Sequence, residues 1–389
     1  MFMIKNGKNP KSKQNNKVPL PKCGYYLNTI YFYITEGCNL NCRHCWIAPR
    51  FHGKNSKVIS PFVSCELFKN IIYQAKELGL GGVKLTGGEP LIHPEIEKIL
   101  DFIKQEDLQL TIETNGTKCT PVLAEKISQC KYPSVSVSLD GADAKTHEWV
   151  RGVRGSYKTA LQGIRNLVNA NLRPQIIMSI MRHNVEQLEA VVRLAEKENV
   201  GSIKLSLVTP TARGKQLHDA GEALSIKELL DLGKWIENKL VPSTELTVVY
   251  SHPMAFKPLN KVFQPSGSCG IFGIIGVLGS GKYALCGIGE TVPELVFGHA
   301  EKNKLADVWN NNKVLQDIRE GLPRDLKGIC GDCLMKQNCL ASCVAMNYYR
   351  HQDLFAPHWY CEEAHKIGLF PAARILPNSK SEQVSQCVT

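Results

Sequence analysis

The sequence predicts an α/β protein built on a parallel sheet. Three observations carry that prediction: apolar runs of strand length occur six times, helix-period segments separate them, and polar motifs follow one run after another. The runs are TIYFYIT (29–35), GGVKLT (81–86), LQLTIET (108–114), SVSVSL (134–139), QIIMSIM (175–181) and SIKLSLV (202–208). Between them, Pro61 to Leu78, Pro94 to Lys104, Tyr157 to Asn169 and Val185 to Asn199 place apolar residues at helical spacing, with Ser, Pro or Asn near their starts. Strand-helix units of this length imply right-handed crossovers between parallel strands. Periodicity alone leaves two arrangements open, a doubly wound open sheet and a partial barrel. The motifs decide for the barrel. Cys38 follows the first run, GGEP the second, TNG the third, DG the fourth and RHN the fifth. Active sites of βα-barrels gather at the carboxyl ends of their strands, so these segments are expected to converge on one mouth of a partial (β/α)6 TIM-like barrel.

A chain of 389 residues, 43% hydrophobic, can bury one barrel-sized core and a smaller module. Residues 1–19, with Lys5, Lys8, Lys11, Lys13 and Lys17 among Asn and Gln, are too polar to order themselves and read as a disordered basic tail. The barrel is expected over 20–250, closing with a helix near Ile226 to Leu240 and a Pro-rich loop. Composition then shifts towards Gly and Cys, marking a second domain over 251–370, and 371–389 read as a C-terminal tail whose last dozen residues are disordered. No run approaches the roughly 18 apolar residues of a membrane span, and the lysine-rich start lacks a signal peptide's apolar segment. A cytoplasmic location is expected. The net charge of +11 raises nucleic acid as a partner, but the basic residues are scattered, with no aromatic and arginine platform. Fifteen cysteines in so long a chain favour metal or cluster ligation over a disulfide scaffold.

The segment TEGCNLNCRHCW, Thr35 to Trp46, sets Cys38, Cys42 and Cys45 at C-x3-C-x2-C with no fourth cysteine nearby. Three thiolates on a [4Fe–4S] cluster leave one iron open; a structural zinc site wants four closed ligands. C-x3-C-x2-C directly after the first strand resembles the signature of the radical S-adenosylmethionine (radical SAM) superfamily. The resemblance implies that S-adenosylmethionine chelates the open iron and is cleaved reductively to a 5′-deoxyadenosyl radical that takes hydrogen from the substrate. Other segments match in order. TGGEP looks like the stretch that approaches the cofactor's methionyl amine, with Gly87, Gly88, Glu89 and Pro90. Thr114 and Asn115 of ETNG, and Ser138 and Asp140 of SVSLDG, fall where relatives contact ribose or cofactor, and Arg151 resembles the arginine that pairs with the cofactor carboxylate.

Seven further cysteines follow: Cys269, Cys286 in GKYALC, then C-x2-C-x5-C-x3-C through Cys330, Cys333, Cys339 and Cys343, and finally Cys361. All seven positions are similar to the SPASM extension of peptide-modifying radical SAM enzymes, which houses two auxiliary iron–sulfur clusters. By that pattern Cys330, Cys333, Cys339 and Cys361 hold a distal cluster and Cys269, Cys286 and Cys343 a proximal one, both expected as [4Fe–4S], the proximal one with an open iron or a further ligand the spacing does not name. Cys23, Cys65, Cys119, Cys130 and Cys387 have no cluster spacing and read as packing residues.

Sulfatase-maturating relatives carry an aspartate after the second SPASM cysteine; Gly287 stands here, which argues against formylglycine formation. The resemblance then implies a maturase of ribosomally made peptides, and the segment CNLNCRHCWIAPRF points to a splicease that excises a tyramine unit. Thioether or carbon cross-linking and epimerisation are the alternatives within the class. A non-catalytic iron–sulfur protein that binds a peptide or relays electrons is the alternative outside it. Only 37 residues precede Cys38, so leader recognition is expected from a separate accessory protein or from the barrel and SPASM surfaces. The basic balance suits an acidic flavodoxin or ferredoxin as electron donor. No catalytic acid or base is identified: His218, with Glu222 after it, reads as a solvated histidine, and Tyr283 stands near the proximal set.

Overall fold

A computed structural model describes residues 18–53, 60–262 and 269–377. Its centre is a sheet of ten strands. Six come first in the chain: β1 (Thr29–Tyr33), β2 (Gly82–Thr86), β3 (Gln109–Thr114), β4 (Lys131–Ser138), β5 (Gln175–Ile180) and β6 (Ser202–Leu207). They lie side by side in chain order and all pair in parallel. Each falls on one of the six apolar runs. One face of the sheet is dry: Val83, Leu85, Leu110, Ile112, Val137, Ile176, Met178, Ile203 and Leu205 are all buried beneath helices.

The covering helices begin where the sequence supplies caps. In α1 (Cys65–Lys76), the Ser64 hydroxyl accepts the Leu67 N–H at 3.2 Å. Next come α2 (Ile96–Gln105) and α3 (Pro121–Ser128), the latter capped by Thr120 with Pro at its first position. Asp143 caps α4 (Ala144–Arg151), which stops at Gly152 in the left-handed conformation (φ 71°). Then follow α5 (Ser156–Asn169), α6 (Leu188–Lys197), α7 (Ala212–Asp219) and α8 (Ile226–Trp235), which opens with a Ser225–Glu228 capping box. The sequence reading omitted α3, α4 and α7, which are short and whose polar faces blur the helical period.

The Pro-rich loop expected after α8 contains a strand, β7 (Thr247–Tyr250), paired in parallel with β6. From there the chain crosses to the opposite edge. β8 (Ile274–Val277) adds in parallel beside β1, and β9 (Lys282–Ala284) and β10 (Val296–His299) extend it antiparallel. The Cys-rich region therefore completes the same sheet, and one apolar core runs from Leu27 to Phe370. In α9 (Leu305–Asn311), the fully buried Trp309 donates its indole N–H to the Tyr25 carbonyl at 2.9 Å. Beyond α10 (Lys313–Gly321), short helical turns carry Cys330 to Cys361. Residues 1–17, 378–389 and Cys387 lie outside the described residues, so the tail readings at both ends mostly fall outside them. No helix among the described residues is long and apolar enough to cross a membrane.

Candidate active site

The loop after β1 carries Cys38, Cys42 and Cys45 and is pinned from several sides. Gly88 N–H donates to Thr35 O and Glu89 N–H to Gly37 O, both at 2.9 Å; Asn41 N–H and Arg43 N–H donate to the Arg151 and Val150 carbonyls at 3.1 and 2.9 Å. The glycines of GGEP make the first of these contacts possible. Gly87 holds φ +125°, and a Cβ on Gly88 would stand 1.9 Å from Gly37 O. Close backbone approach within the protein itself thus demands glycine at 88.

Glu89 lies buried under this loop. Its carboxylate accepts the Thr114 hydroxyl at 2.5 Å, the Leu91 N–H at 3.0 Å and the Asn115 N–H at 2.7 Å. Burial raises its pKa and these donors oppose the rise. Asn115 then donates its side-chain amide to Asn39 Oδ1 at 2.9 Å, and Asn39 donates to Thr117 Oγ1 at 2.8 Å. Polar contacts therefore tie the end of β3 to the cysteine loop.

Arg151 closes the other side. Its Nε lies 2.6 Å from Asp140 Oδ2, with the two side chains 8% and 0% exposed. Its Nη1 donates to Cys42 Sγ at 3.5 Å. Asp140 Oδ1 also accepts the Ser179 N–H at 2.7 Å. Burial pushes the Asp140 carboxyl up, but Arg151 foremost outweighs it and the pKa ends below the ordinary value. Burial likewise pushes the Cys42 thiol up, against Arg151. The His44 ring, enclosed beside this pair, is held down to about 4 by burial.

These elements surround a cavity of about 290 Å³ at the carboxyl ends of the strands. Cys38, Cys42, Cys45, Gly87, Gly88, Glu89, Thr114, Asn115, Ser138 and Arg151 line it. Pro90 and Asp140 do not: Pro90 opens a buried turn behind Glu89, and Asp140 stands behind Arg151. The cavity also takes in residues the sequence reading did not select, among them His44, Trp46, Glu113, Lys204 and Arg213. For Glu113 and Lys204 a signal existed, a charge at an inward position of an alternating strand.

Four of the later cysteines, Cys330, Cys333, Cys339 and Cys361, line one small void. The other three lie near one another and near β1. Burial, then Cys343 and Cys269, push the Cys286 thiol up, and burial followed by Cys269 pushes the Tyr31 hydroxyl up to about 12. A Cβ on Gly287 would stand 2.2 Å from the Tyr33 ring, so Tyr33 occupies the space any side chain there would need. Among the described residues, no three His, Cys, Asp or Glu side chains gather tightly enough to hold a single metal ion. Cys65, Cys119 and Cys130 are buried free thiols. His218, expected to be solvated, is half-buried: its Nε2 lies 2.8 Å from Val208 O and its ring packs edge-on against Trp359. Tyr283 is fully buried in the core.

The Radical SAM superfamily model matches residues 32–197, the span that holds the three-cysteine loop, GGEP and Arg151. The chain carries a radical SAM domain. The radical SAM family implies a [4Fe–4S] cluster with S-adenosylmethionine, and three thiols around a cavity with a buried glutamate and arginine are a donor set that suits both. Two curated relatives extend well beyond this domain. The AdoMet-dependent heme synthase of Methanosarcina barkeri (strain Fusaro / DSM 804) is 28% identical over 348 residues, 85% of this chain and 95% of that protein. The mycofactocin maturase MftC of Mycobacterium tuberculosis (strain CDC 1551 / Oshkosh) is 25% identical over 364 residues, 90% of this chain and 86% of that protein. The crystal structure of Streptococcus suis SuiB bound to precursor peptide SuiA shares the fold, with a TM-score of 0.69 at 17% identity over 87% of this chain and 77% of that one.

Proposed function

We propose that this radical SAM enzyme modifies a ribosomally made precursor peptide, with backbone splicing and excision of a tyramine unit as the specific reaction. The observation that carries the peptide reading is similarity to a maturase along 86% of that maturase's length and 90% of this chain. The fold shared with SuiB, a protein solved with a precursor peptide, supports it. When bound, the cluster and S-adenosylmethionine supply an electron and a radical able to take a hydrogen atom from the substrate. Cys38, Cys42 and Cys45 would hold that cluster. Arg151 would donate to Cys42 Sγ and favour its thiolate against the rise that burial causes, while Glu89, Thr114 and Asn115 fix the loop and Ser138 lines the wall. In the domain over 251–370, Cys330, Cys333, Cys339 and Cys361 would hold a distal auxiliary cluster and Cys269, Cys286 and Cys343 a proximal one beside Tyr31. A flavodoxin or ferredoxin would deliver electrons, and a small accessory protein would present the precursor.

A second reading has its own support in the heme synthase relative, 28% identical and matched over 95% of its length: a small-molecule substrate in the same cavity. Co-expression with a short precursor-like reading frame encoded beside the gene, with and without its other small neighbours, separates the two. Mass spectrometry showing loss of a tyramine-sized fragment establishes splicing, and loss of two hydrogens a cross-link. An unchanged mass without deuterium uptake from deuterated water, for every neighbouring peptide, refutes the peptide reading.

A further inference from the structure

The inner face of the barrel holds a lysine with no ion-pair partner among the described residues. Lys204 sits on β6 and points to the same face as Ser202 and Ser206. Its strand partners are Ile177 on β5 and Val249 on β7, neither of which carries charge. Of the other cations lining the first cavity, Arg151 lies 2.6 Å from Asp140 and Arg213 donates to the Asn41 amide oxygen; Lys84 on β2 lies 2.6 Å from Glu113. Lys204 makes no ion pair with any described residue. Lys204 is half-buried, and an ammonium so placed without a carboxylate is left to be answered by water or an anion.

Position adds a second argument. Lys204 lines the 290 Å³ cavity and also a second cavity of about 360 Å³, bounded by Gln175, Tyr250, Ser251, His252, Lys257 and Cys339. The cysteines Cys38, Cys42 and Cys45 border the first cavity alone. The second has no carboxylate in its wall, and its other cation is Lys257. Lys204 thus stands where a molecule reaching from the three-cysteine loop into the interior would pass.

We propose that Lys204 anchors a carboxylate of the substrate, holding it across the junction of the two cavities while another part of the molecule lies against the three-cysteine loop. This inference rests on the radical SAM reading of the first cavity but not on the substrate being a peptide. The carboxylate has three sources: a peptide C-terminus, an Asp or Glu side chain, or an acidic side arm of a small molecule. Two amine hydrogens remain for Ser206 or water, so the site selects charge above shape.

The test uses cluster-loaded full-length protein, wild type and Lys204→Met, in anaerobic equilibrium dialysis. The probes are random-sequence synthetic hexapeptides made as free acids and as C-terminal amides, and haemin with its dimethyl ester. Wild type is expected to prefer a free acid over its neutral partner by about tenfold, the size of one charge-assisted hydrogen bond. Lys204→Met loses that preference and Lys204→Arg keeps most of it. The affinity for S-adenosylmethionine and the cluster midpoint potentials stay at wild-type values. Enrichment of Asp- or Glu-containing amides assigns the carboxylate to a side chain. Preference for haemin over its ester, with peptides ignored, keeps the anchor and removes the peptide reading. The proposal is overturned if wild type prefers no acid in any pair, or if Lys204→Met retains the preference. It is also overturned if that variant weakens S-adenosylmethionine binding or shifts a cluster potential, because Lys204 then serves the cofactor or a cluster.

Discussion

The pairing of Arg151 with Asp140 makes a prediction that bears directly on what Arg151 is for. The two side chains are 8% and 0% exposed and 2.6 Å apart. Removing one partner of such a pair leaves the other charged in a desolvated place, at a cost of about 3–5 kcal/mol. Arg151→Met strands Asp140, which keeps only the Ser179 N–H on its other oxygen. Asp140→Asn preserves an acceptor for that N–H and strands Arg151 instead. In the double variant neither charge remains, so its cost should fall short of the sum by about 3 kcal/mol.

Urea denaturation of the anaerobically prepared, cluster-loaded protein measures the cycle. The pH dependence has a definite sign. In the wild type the folded Asp140 pKa is lowered, so its contribution is present above the unfolded value and is lost as pH falls through the folded one. In Arg151→Met, burial without a cation raises that pKa above the unfolded value, and the destabilisation should shrink as pH falls from 7 towards 5. Additive effects, each below about 1 kcal/mol, would refute the reasoning and leave Arg151 free for a ligand carboxylate.

Three other expectations follow from the same geometry. Gly88→Ala brings a Cβ to 1.9 Å from Gly37 O, a backbone atom that cannot rotate away; overpacking and disruption of the two 2.9 Å hydrogen bonds beside it together cost about 3–5 kcal/mol, and iron content and melting temperature should both drop. Glu89→Gln sets an NH2 group against one of the N–H donors of Leu91 and Asn115, an unsatisfied pair worth about 1–3 kcal/mol, so hydrogen exchange at Asn115 should quicken while a distant amide such as that of Leu167 is unchanged. His147 is 0% exposed and burial holds its pKa down to about 4 against an ordinary 6.5. It stays neutral in the fold while the unfolded chain takes up a proton, so its contribution is complete above pH 6.5 and declines between 6.5 and 4, by about 2 kcal/mol at pH 5. His147→Asn, which keeps an acceptor near the Asp140 N–H, should flatten that part of the urea profile.

What could be read from the sequence was what is local. The six runs became β1 to β6, because each combines strand-forming residues with a buried face. The cysteine loop and GGEP were legible as motifs, since their residues are contiguous. Arg151 and Asp140 were each selected, yet their pairing was not, because it depends on how α4 packs over the end of β4. TVVY, now β7, was hidden between Pro242 and Pro253, too short to stand out until β6 offers it an edge. The strands β8 to β10 are three or four residues each and take their place only because β1 has a free side.

The choice between an open, doubly wound sheet and a barrel, decided above from the motifs, has a second ground in the strands that the periodicity argument did not use. Parallel strands covered by helices on both faces read as continuous apolar runs. Here the runs alternate: Val83 and Leu85 face the helices while Lys84 and Thr86 face inward, and the same holds for Ile112 against Glu113, Val137 against Ser136 and Ser138, Met178 against Ser179, and Leu205 against Lys204 and Ser206. A second layer of helices laid on that polar face would bury Lys84, Glu113 and Lys204 in apolar surroundings at prohibitive cost. The sheet must therefore curl around a wet interior. The alternation that forces the curl also supplies the polar wall from which the cavities are built, so the architecture and the site have one physical origin.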